Sequence, residues 1–406
     1  GGRYFIFVRL TTDGGVSGYG EAYSATFDPH LTARMIEDVA ARYLLGQDPH
    51  DIENFFRRAY SSGFSQRPDI TMMGCVSALE IACWDIIGKE AGKPVHKLIG
   101  GRVHETLRSY TYLYPTSGSA FVDEVDDPER NVYNDPELAA QCALDYVAQG
   151  FDAVKLDPAG PYTAFDGHQP RLVDIDLSAR MVAAIREAVG PRCDILFGTH
   201  GQFSTAGAIR LGQALEPWGP LWYEEPIPPD NLAEFAEVAR HVRVPLATGE
   251  RLTTKAEFGA LLRLGGVRIL QPALGRVGGI WEARKIAAMA EVFNAQMAPH
   301  LYAGPVEWAA NIHLAASIPN LMIAETIETG GAFHLALIRN TIRWEDGHVI
   351  APTAPGLGIE IDEALARAHP FTGTGLHLEM QEAPCDYRHG NRFEGGAPRH
   401  ADTPQG

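Results

Sequence analysis

Two glutamates in this sequence have the spacing of a metal site. Glu224 and Glu250 lie 26 residues apart, and each follows a short apolar run. Two converging carboxylates repel each other unless a cation neutralises them, and hard oxygen ligands with room for water suit Mg²⁺. We therefore predict that both bind a metal, the alternative being two solvated loop residues. A third carboxylate at this spacing is missing, because Gly198 lies 26 positions before Glu224.

A lysine and a histidine that end two other apolar runs have the chemistry of proton transfer. A lysine held in a dry site beside a divalent cation has a lowered pKa and can act as a base, which we predict for Lys155. Asp157 faces the same side as Lys155, because strand side chains alternate. We expect His300 opposite Lys155, so that one acid/base lies on each face of a bound carbon. The alternatives are a surface lysine and a structural histidine.

Two further polar residues fall near strand ends. His200 lies two residues beyond Gly198 and should face the same way. It is either a metal ligand or an acid that protonates a leaving hydroxyl, the alternative being a histidine that caps the next helix. Glu325 ends the last apolar run, where it could hydrogen bond to substrate or orient His300.

The elements that must position these residues are alternating strands and helices. From Leu107 onward, eight apolar strands alternate with amphipathic helices, and successive strand ends from Gly198 to Glu325 fall 23 to 27 residues apart. Parallel strands of this kind close into a barrel whose active site lies at their carboxyl ends. Residues before about 100 form a smaller α+β segment with a hairpin at Asp13-Gly14-Gly15. The predicted fold is therefore α/β, a (β/α)₈ (modified TIM) barrel with an N-terminal α+β capping domain.

The pattern also sets domain boundaries. We expect the capping domain at 1–104, the barrel at 105–330, a segment that returns to the capping domain at 331–383, and a polar tail at 384–406. Within the barrel, residues 158–175 are rich in Pro, Gly and Asp and are predicted to form an inserted loop before a helix over 176–189. Short strands are expected over 342–350 and 358–361.

Composition excludes several classes of partner. A net charge of −17 over 406 residues argues against nucleic acid or an anionic membrane as a partner. No apolar run approaches about 18 residues, so no membrane span is expected. The five cysteines show no CxxC spacing and fit reduced thiols in the cytoplasm. We also expect a homo-oligomer.

Several motifs resemble those of one known family. The segment Ala78–Lys89, followed by Gly92-Lys93-Pro94 and Leu98–Gly101, resembles the N-terminal signature of the mandelate racemase branch of the enolase superfamily. The barrel motifs follow in the family's order, at Lys155, Glu224-Glu225-Pro226, Gly249-Glu250, Gly278-Gly279 and His300. The resemblance implies an enzyme that uses Mg²⁺ to bind a carboxylate substrate, abstracts its α-proton and stabilises the enediolate.

The resemblance also implies roles for individual residues. Lys155 matches the base of the second strand and His300 the acid/base of the seventh. Glu224 and Glu250 match the second and third metal ligands, and Glu325 matches a glutamate near the substrate carboxylate. His200 matches the general acid of sugar-acid dehydratases, so its segment is most similar to the galactonate dehydratase type. The Lys155-Leu156-Asp157 motif and the insertion are similar to those of anhydrogalactonate cycloisomerase.

The chain departs from the family pattern at three places. Gly198 stands where the family has its first metal-binding aspartate, and we expect the Asp157 carboxylate to replace it, with His200 or a water as alternatives. Ala273 stands where many members have the aspartate that partners the seventh-strand histidine, a role that Glu325 could take. The family's first strand and mobile loop are unmatched, because Tyr4–Glu21 corresponds to its second and third strands.

These observations predict a Mg²⁺-dependent lyase or isomerase that acts on a sugar acid. Loss of a β-hydroxyl would make it an acid-sugar dehydratase, and loss of a ring oxygen would make it a cycloisomerase of an anhydro sugar acid or lactone. A third alternative is a non-catalytic binding or scaffold protein with a degraded metal site.

Overall fold

The structure, a computed structural model, describes residues 4–23, 28–61, 69–114, 130–157 and 167–373. Twelve strands are described in these ranges: β1 Ile6–Thr11, β2 Ser17–Ala22, β3 Thr106–Tyr112, β4 Ala153–Leu156, β5 Asp194–Gly198, β6 Trp222–Glu224, β7 Leu246–Thr248, β8 Val267–Leu270, β9 Gln296–Met297, β10 Ala324–Glu325, β11 Arg343–Glu345 and β12 His348–Ile350.

Helices occupy most of the remaining described chain. They are α1 Pro29–Tyr43, α2 Ile52–Ser61, α3 Ile70–Glu90, α4 Val95–Leu98, α5 Pro136–Gln149, α6 Leu172–Val189, α7 Thr205–Leu215, α8 Leu232–His241, α9 Thr254–Leu264, α10 Leu274–Val277, α11 Ile280–Val292, α12 Pro305–Ser317, α13 Ala332–Ala336 and α14 Glu363–Ala368. The predicted polar tail and part of the predicted insertion, 158–166, lie outside the described residues.

Eight parallel strands form a closed barrel. Strands β3 to β9 pair in chain order, and β10 pairs with β3. The ring closes beside β9, where the Met322 amide donates to the Met297 carbonyl at 2.8 Å. The barrel interior holds one buried apolar residue from each strand or its immediate flank: Tyr110, Ala153, Leu196, Trp222, Ala247, Ile269, Ala298 and Ile323. Such interior layers are typical of (β/α)₈ barrels, and the predicted fold is confirmed.

The interior layer determines which residues point into the barrel mouth. Side chains alternate along a strand, so a residue two positions after an interior residue also faces inward. Lys155 lies two positions after Ala153, and His300 lies two positions after Ala298. The same offset places Gly198, Glu224 and Glu325 at the mouth.

The capping domain consists of the β1–β2 hairpin and helices α1 to α4. Helix α3 begins after Asp69, whose carboxylate accepts from the Thr71 and Met72 amides. This helix is long and apolar enough to cross a membrane by composition, but 83% of its most apolar window is buried inside the protein. Its Glu80 carboxylate accepts from the Ile280 and Trp281 amides at the start of α11, which joins the two domains.

Three local expectations differ from the structure. No strand spans 358–361, where only Ile361 forms an isolated bridge, with Ile338. Helix α6 begins at Leu172 rather than at 176, because Asp174 bonds back to the Arg171 amide and caps an earlier first turn. The β11–β12 hairpin pairs antiparallel with the start of β3, so it extends the barrel sheet instead of returning to the capping domain. The return follows the hairpin, where the Leu357 amide donates to Asp85 at 2.8 Å.

Candidate active site

Five of the predicted residues converge at the carboxyl ends of the barrel strands. They come from five different strands or the residues directly after them, and each is at most 6% exposed: Lys155, Glu224, Glu250, His300 and Glu325. Burying this many ionisable groups is costly unless they compensate one another. These five residues must therefore pair their charges with one another or with neighbouring groups.

Lys155 lies between two carboxylates. Its Nζ donates to Glu224 Oε1 at 2.5 Å and lies 3.8 Å from Glu325 Oε1. Burial disfavours the ammonium, but these carboxylates outweigh burial and raise the pKa of Lys155 above its ordinary value. This upward shift describes Lys155 beside carboxylates alone, and the lowering expected beside a divalent cation stays a prediction.

The remaining oxygen of Glu224 is held by two neutral donors. Trp222 Nε1 donates to Oε2 at 3.0 Å and Gln271 Nε2 donates to it at 2.7 Å. Both donors lie on strands of the barrel wall or directly after them, so the carboxylate is fixed against the interior of the ring. Only Oε1 faces Lys155.

His300 contacts two carboxylates across the mouth from Lys155. Its Nδ1 lies 3.2 Å from Glu325 Oε2 and 3.3 Å from Glu250 Oε2. Burial favours the neutral ring, but these two glutamates outweigh burial and raise the pKa of His300. Ala273 is the register neighbour of His300 and supplies no carboxylate. Glu325 also accepts from the Leu301 amide at 2.6 Å. It can therefore partner His300 in place of the carboxylate that Ala273 does not supply.

Asp157 and His200 form a pair above Gly198. Asp157 Oδ2 lies 2.7 Å from His200 Nδ1. Asp157 Oδ1 lies 2.7 Å from the position that a Cβ on Gly198 would take. Burial lowers the pKa of His200, but Asp157 outweighs burial and raises it. The Asp157 carboxylate therefore fills the space of a side chain at residue 198.

Glu250 reaches the mouth through a change in strand geometry. It lies three residues after the interior Ala247, and Gly249 between them has a φ of +139°. A Cβ at Gly249 would also approach the Phe258 ring at 2.7 Å, so the position requires glycine. Burial opposes the charge of Glu250, but His300 and Arg251 outweigh it and lower its pKa.

Two charged residues beside the predicted ligands were missed. Arg251 Nε lies 3.2 Å from Glu250 Oε1, and its Nη1 lies 3.1 Å from Glu225 Oε2. Burial raises the pKa of Glu225. Each of these residues directly follows a predicted ligand in the sequence, and that adjacency was the available signal. Arg251, whose side chain is 11% exposed, thus supplies a second cation to the site.

The capping domain also contributes residues that spacing within the barrel could not reveal. Glu21 accepts from three amides at the start of α12, including Gly304 at 2.5 Å and Glu307 at 3.0 Å. Burial raises its pKa to about 8. The Tyr23 ring lies parallel to the His300 ring, with centroids 6.1 Å apart. The capping strand β2 therefore ends directly beside His300.

The barrel mouth places carboxylates beside two side chains that can exchange protons, Lys155 and His300. Lys155 and His300 approach Glu325 from different strands, and His200 lies on the far side of Asp157. Each predicted metal ligand contacts a cation of the protein itself. Within the described ranges, no group of three or more His, Cys, Asp or Glu residues has metal-holding geometry.

Two families match this chain. Residues 2–100 match the family "Mandelate racemase / muconate lactonizing enzyme, N-terminal domain", and residues 137–365 match "Enolase C-terminal domain-like". Curated relatives include a D-galactonate dehydratase of Ralstonia pickettii, 34% identical over 89% of this chain and 90% of that protein. A D-gluconate/D-galactonate dehydratase of Picrophilus torridus is 33% identical over 91% of this chain and 89% of that protein.

Solved structures give the same result at higher identity. A mandelate racemase/muconate lactonizing enzyme from Sulfitobacter sp. is 63% identical, with a TM-score of 0.90 over 95% of each chain. A mandelate racemase/muconate lactonizing enzyme-like protein from Roseovarius sp. TM1035 is 61% identical, with the same TM-score and coverage. With the barrel, its capping domain and the order of the site residues, these matches confirm the resemblance and weigh against a scaffold protein. The chain belongs to the mandelate racemase/muconate lactonizing enzyme family of the enolase superfamily and is an enzyme of that family.

Proposed function

We propose that this enzyme is a Mg²⁺-dependent sugar-acid dehydratase. It removes the proton next to the substrate carboxylate and expels a hydroxyl from the β-carbon. The observation that carries the proposal is the position of Glu325 between two proton-transfer groups, 3.8 Å from Lys155 Nζ and 3.2 Å from His300 Nδ1. A carbon bound between those groups has an acid/base on each face.

The residues present fit Mg²⁺ by the chemistry of their donors. Asp157, Glu224 and Glu250 offer only carboxylate oxygens, which Mg²⁺ prefers. Asp157 Oδ1 and Glu250 Oε2 are buried and have no hydrogen-bond partner among the described residues. These three residues would hold the ion, with Glu224 Oε1 then no longer paired with Lys155. When bound, Mg²⁺ stabilises the negative charge that develops as the α-proton leaves.

Lys155 and His300 perform the proton transfer at the α-carbon. In the arrangement described, nearby carboxylates favour the cationic form of both residues. A base must be neutral, so the residue that takes the proton must first lose one of its carboxylate partners. For Lys155, that partner is Glu224, which we also propose as a metal ligand. Lys155 would therefore act as a base only after its contact with Glu224 is broken.

His200 supplies the proton for the leaving group. Asp157 Oδ2 lies 2.7 Å from its Nδ1, and this carboxylate favours the protonated ring, which can donate a proton to the leaving hydroxyl. The C–H electron pair forms the new C=C bond, the β C–O bond breaks, and the hydroxyl leaves as water with the His200 proton. The resulting enol tautomerises to a 2-keto-3-deoxy acid. If the leaving atom is a ring oxygen, the same groups open the ring, which is the cycloisomerase alternative.

The dehydratase names of the relatives support a sugar acid as substrate. The test is to incubate the protein and Mg²⁺ in D₂O with a library of sugar acids, including D-galactonate and D-gluconate. Proton NMR then follows loss of the α-proton and appearance of 2-keto-3-deoxy products. Consumption of no acid sugar in the library would count against the proposal, and ring-opened products without water loss would favour the cycloisomerase.

A further inference from the structure

Arg276 is a buried cation at the barrel mouth that the mechanism above does not use. It lies in α10, directly after the sixth barrel strand, and is 9% exposed. Its guanidinium carbon lies 3.6 Å from the centroid of the Tyr23 ring, and its Nη1 donates to the Glu250 carbonyl at 3.2 Å. Arg276 is therefore fixed between the capping domain and a predicted metal ligand.

Two other cations of the mouth form ion pairs, whereas Arg276 forms none with a described residue. Lys155 pairs with Glu224, and Arg251 pairs with Glu250. No carboxylate oxygen of a described residue lies within the 4.0 Å ion-pair distance of the Arg276 guanidinium. Its charge also opposes protonation of His300, although burial and the two glutamates have larger effects on the pKa of His300 and the net shift is upward. The Arg276 guanidinium thus lies near the proposed acid/base without an ion pair to a described residue, although its charge also acts on the buried Glu307 carboxyl.

A guanidinium has five N–H donors in a planar fork that matches a carboxylate. Arg276 uses one of them in the hydrogen bond to Glu250. The close contact with the Tyr23 ring restrains the guanidinium, which reduces the entropy lost when an anion binds. A buried charge left without a partner is costly, so a ligand anion would be favoured at this point.

We propose that Arg276 binds the substrate carboxylate and that Tyr23 holds its guanidinium in place. This inference rests on the proposed function and extends it, since it assigns part of the selectivity for acid over neutral sugars to an arginine packed on the capping domain. The rival explanation is structural, in which Arg276 only joins the capping domain to the barrel.

The test compares binding of D-galactonate with binding of galactitol, which lacks the carboxylate. Isothermal titration is performed at 4 °C with EDTA, so that neither Mg²⁺ nor turnover contributes. We expect the wild type to prefer D-galactonate and Arg276→Met to lose about 10-fold to 100-fold of that preference. Arg276→Lys should keep part of it, and Tyr23→Leu should lose less than Arg276→Met.

Arg284→Met is the matched control. Arg284 also contacts the capping domain, through the Ile99 carbonyl at 3.3 Å, but it lies in α11, away from the mouth. It should leave the preference unchanged, and melting temperatures report any loss of domain packing. A wild type without preference for D-galactonate, or an Arg276→Met protein with unchanged preference, would overturn the inference. The dehydratase proposal fails separately, if the wild type with Mg²⁺ converts no sugar acid.

Discussion

Asp157 Oδ1 lies 2.7 Å from the position that a Cβ on Gly198 would occupy. A neighbouring strand thus delivers a carboxylate to the place from which a side chain at residue 198 would project. The space exists only because residue 198 is glycine, since the Lys155 Cε would also lie 3.1 Å from that Cβ. The position of the Asp157 carboxylate therefore depends on glycine at residue 198.

The first prediction concerns the missing side chain at Gly198. Gly198→Ala should displace the Asp157 carboxylate, because the new methyl group and Oδ1 cannot lie 2.7 Å apart. We expect Mg²⁺ affinity, measured by isothermal titration, to fall about 10-fold to 100-fold while the fold remains intact. Gly14→Ala, on the exposed hairpin turn, is the control and should have no effect. Unchanged affinity in Gly198→Ala would show that Asp157 does not need this space.

Removal of either proposed proton-transfer residue should abolish most turnover. Lys155→Met and His300→Asn are each expected to lower kcat about 10²-fold to 10⁴-fold, because each removes a group placed on one side of the α-carbon. Steady-state assays of 2-keto-3-deoxy acid formation measure the loss. Lys97→Met removes an exposed lysine and should retain full activity. Full activity in both site variants would rule out the proposed mechanism.

His200→Asn should separate proton removal from loss of the hydroxyl. The variant retains Lys155 and His300, so the α-proton should still exchange with D₂O. Elimination should slow about 10²-fold or more, because the hydroxyl loses its acid. Proton NMR of the substrate follows both processes in one sample. If exchange and elimination fall equally, His200 does not act as the leaving-group acid.

Glu80 makes the stability of the domain interface depend on pH. Burial raises its pKa to about 8, although three N–H groups donate to its carboxylate. A glutamate in an unfolded chain has a pKa of about 4.3. The contribution of Glu80 to folding stability is therefore complete below the pKa of the unfolded chain. It is lost as the pH rises toward the pKa of Glu80 in the folded protein.

Thermal melts of the wild type and Glu80→Gln between pH 5 and 8 test this sign. The glutamine loses an acceptor, so it should melt lower at pH 5. The difference in melting temperature between the wild type and Glu80→Gln should narrow toward pH 8. Ionisation of Glu80 destabilises the folded wild type as the pH rises, whereas glutamine does not ionise. A gap that widens with pH would mean that Glu80 is already charged at low pH in the folded protein.

The strand-end spacing predicted the convergence of Lys155, His300 and Glu325, because every strand–helix unit of a barrel returns the chain to the same face. Alternation also predicted that Asp157 faces inward, and the structure places its carboxylate beside Gly198, whereas its role as a metal ligand stays a prediction. The spacing could not reveal Tyr23 or Arg276, which meet only when the capping domain packs on the barrel. Nor could it give the charge of Lys155, which depends on two carboxylates from distant strands.

We propose that Asp157 supplies the metal-binding carboxylate that residue 198 lacks, and one measurement tests this most directly. Mg²⁺ binding is titrated calorimetrically for the wild type, Asp157→Ala and the double variant Asp157→Ala/Gly198→Asp, which moves the carboxylate to the neighbouring strand. We expect the wild type to bind one Mg²⁺, Asp157→Ala to lose affinity and the double variant to recover it. Asp157→Ala binding Mg²⁺ as tightly as the wild type would contradict this proposal.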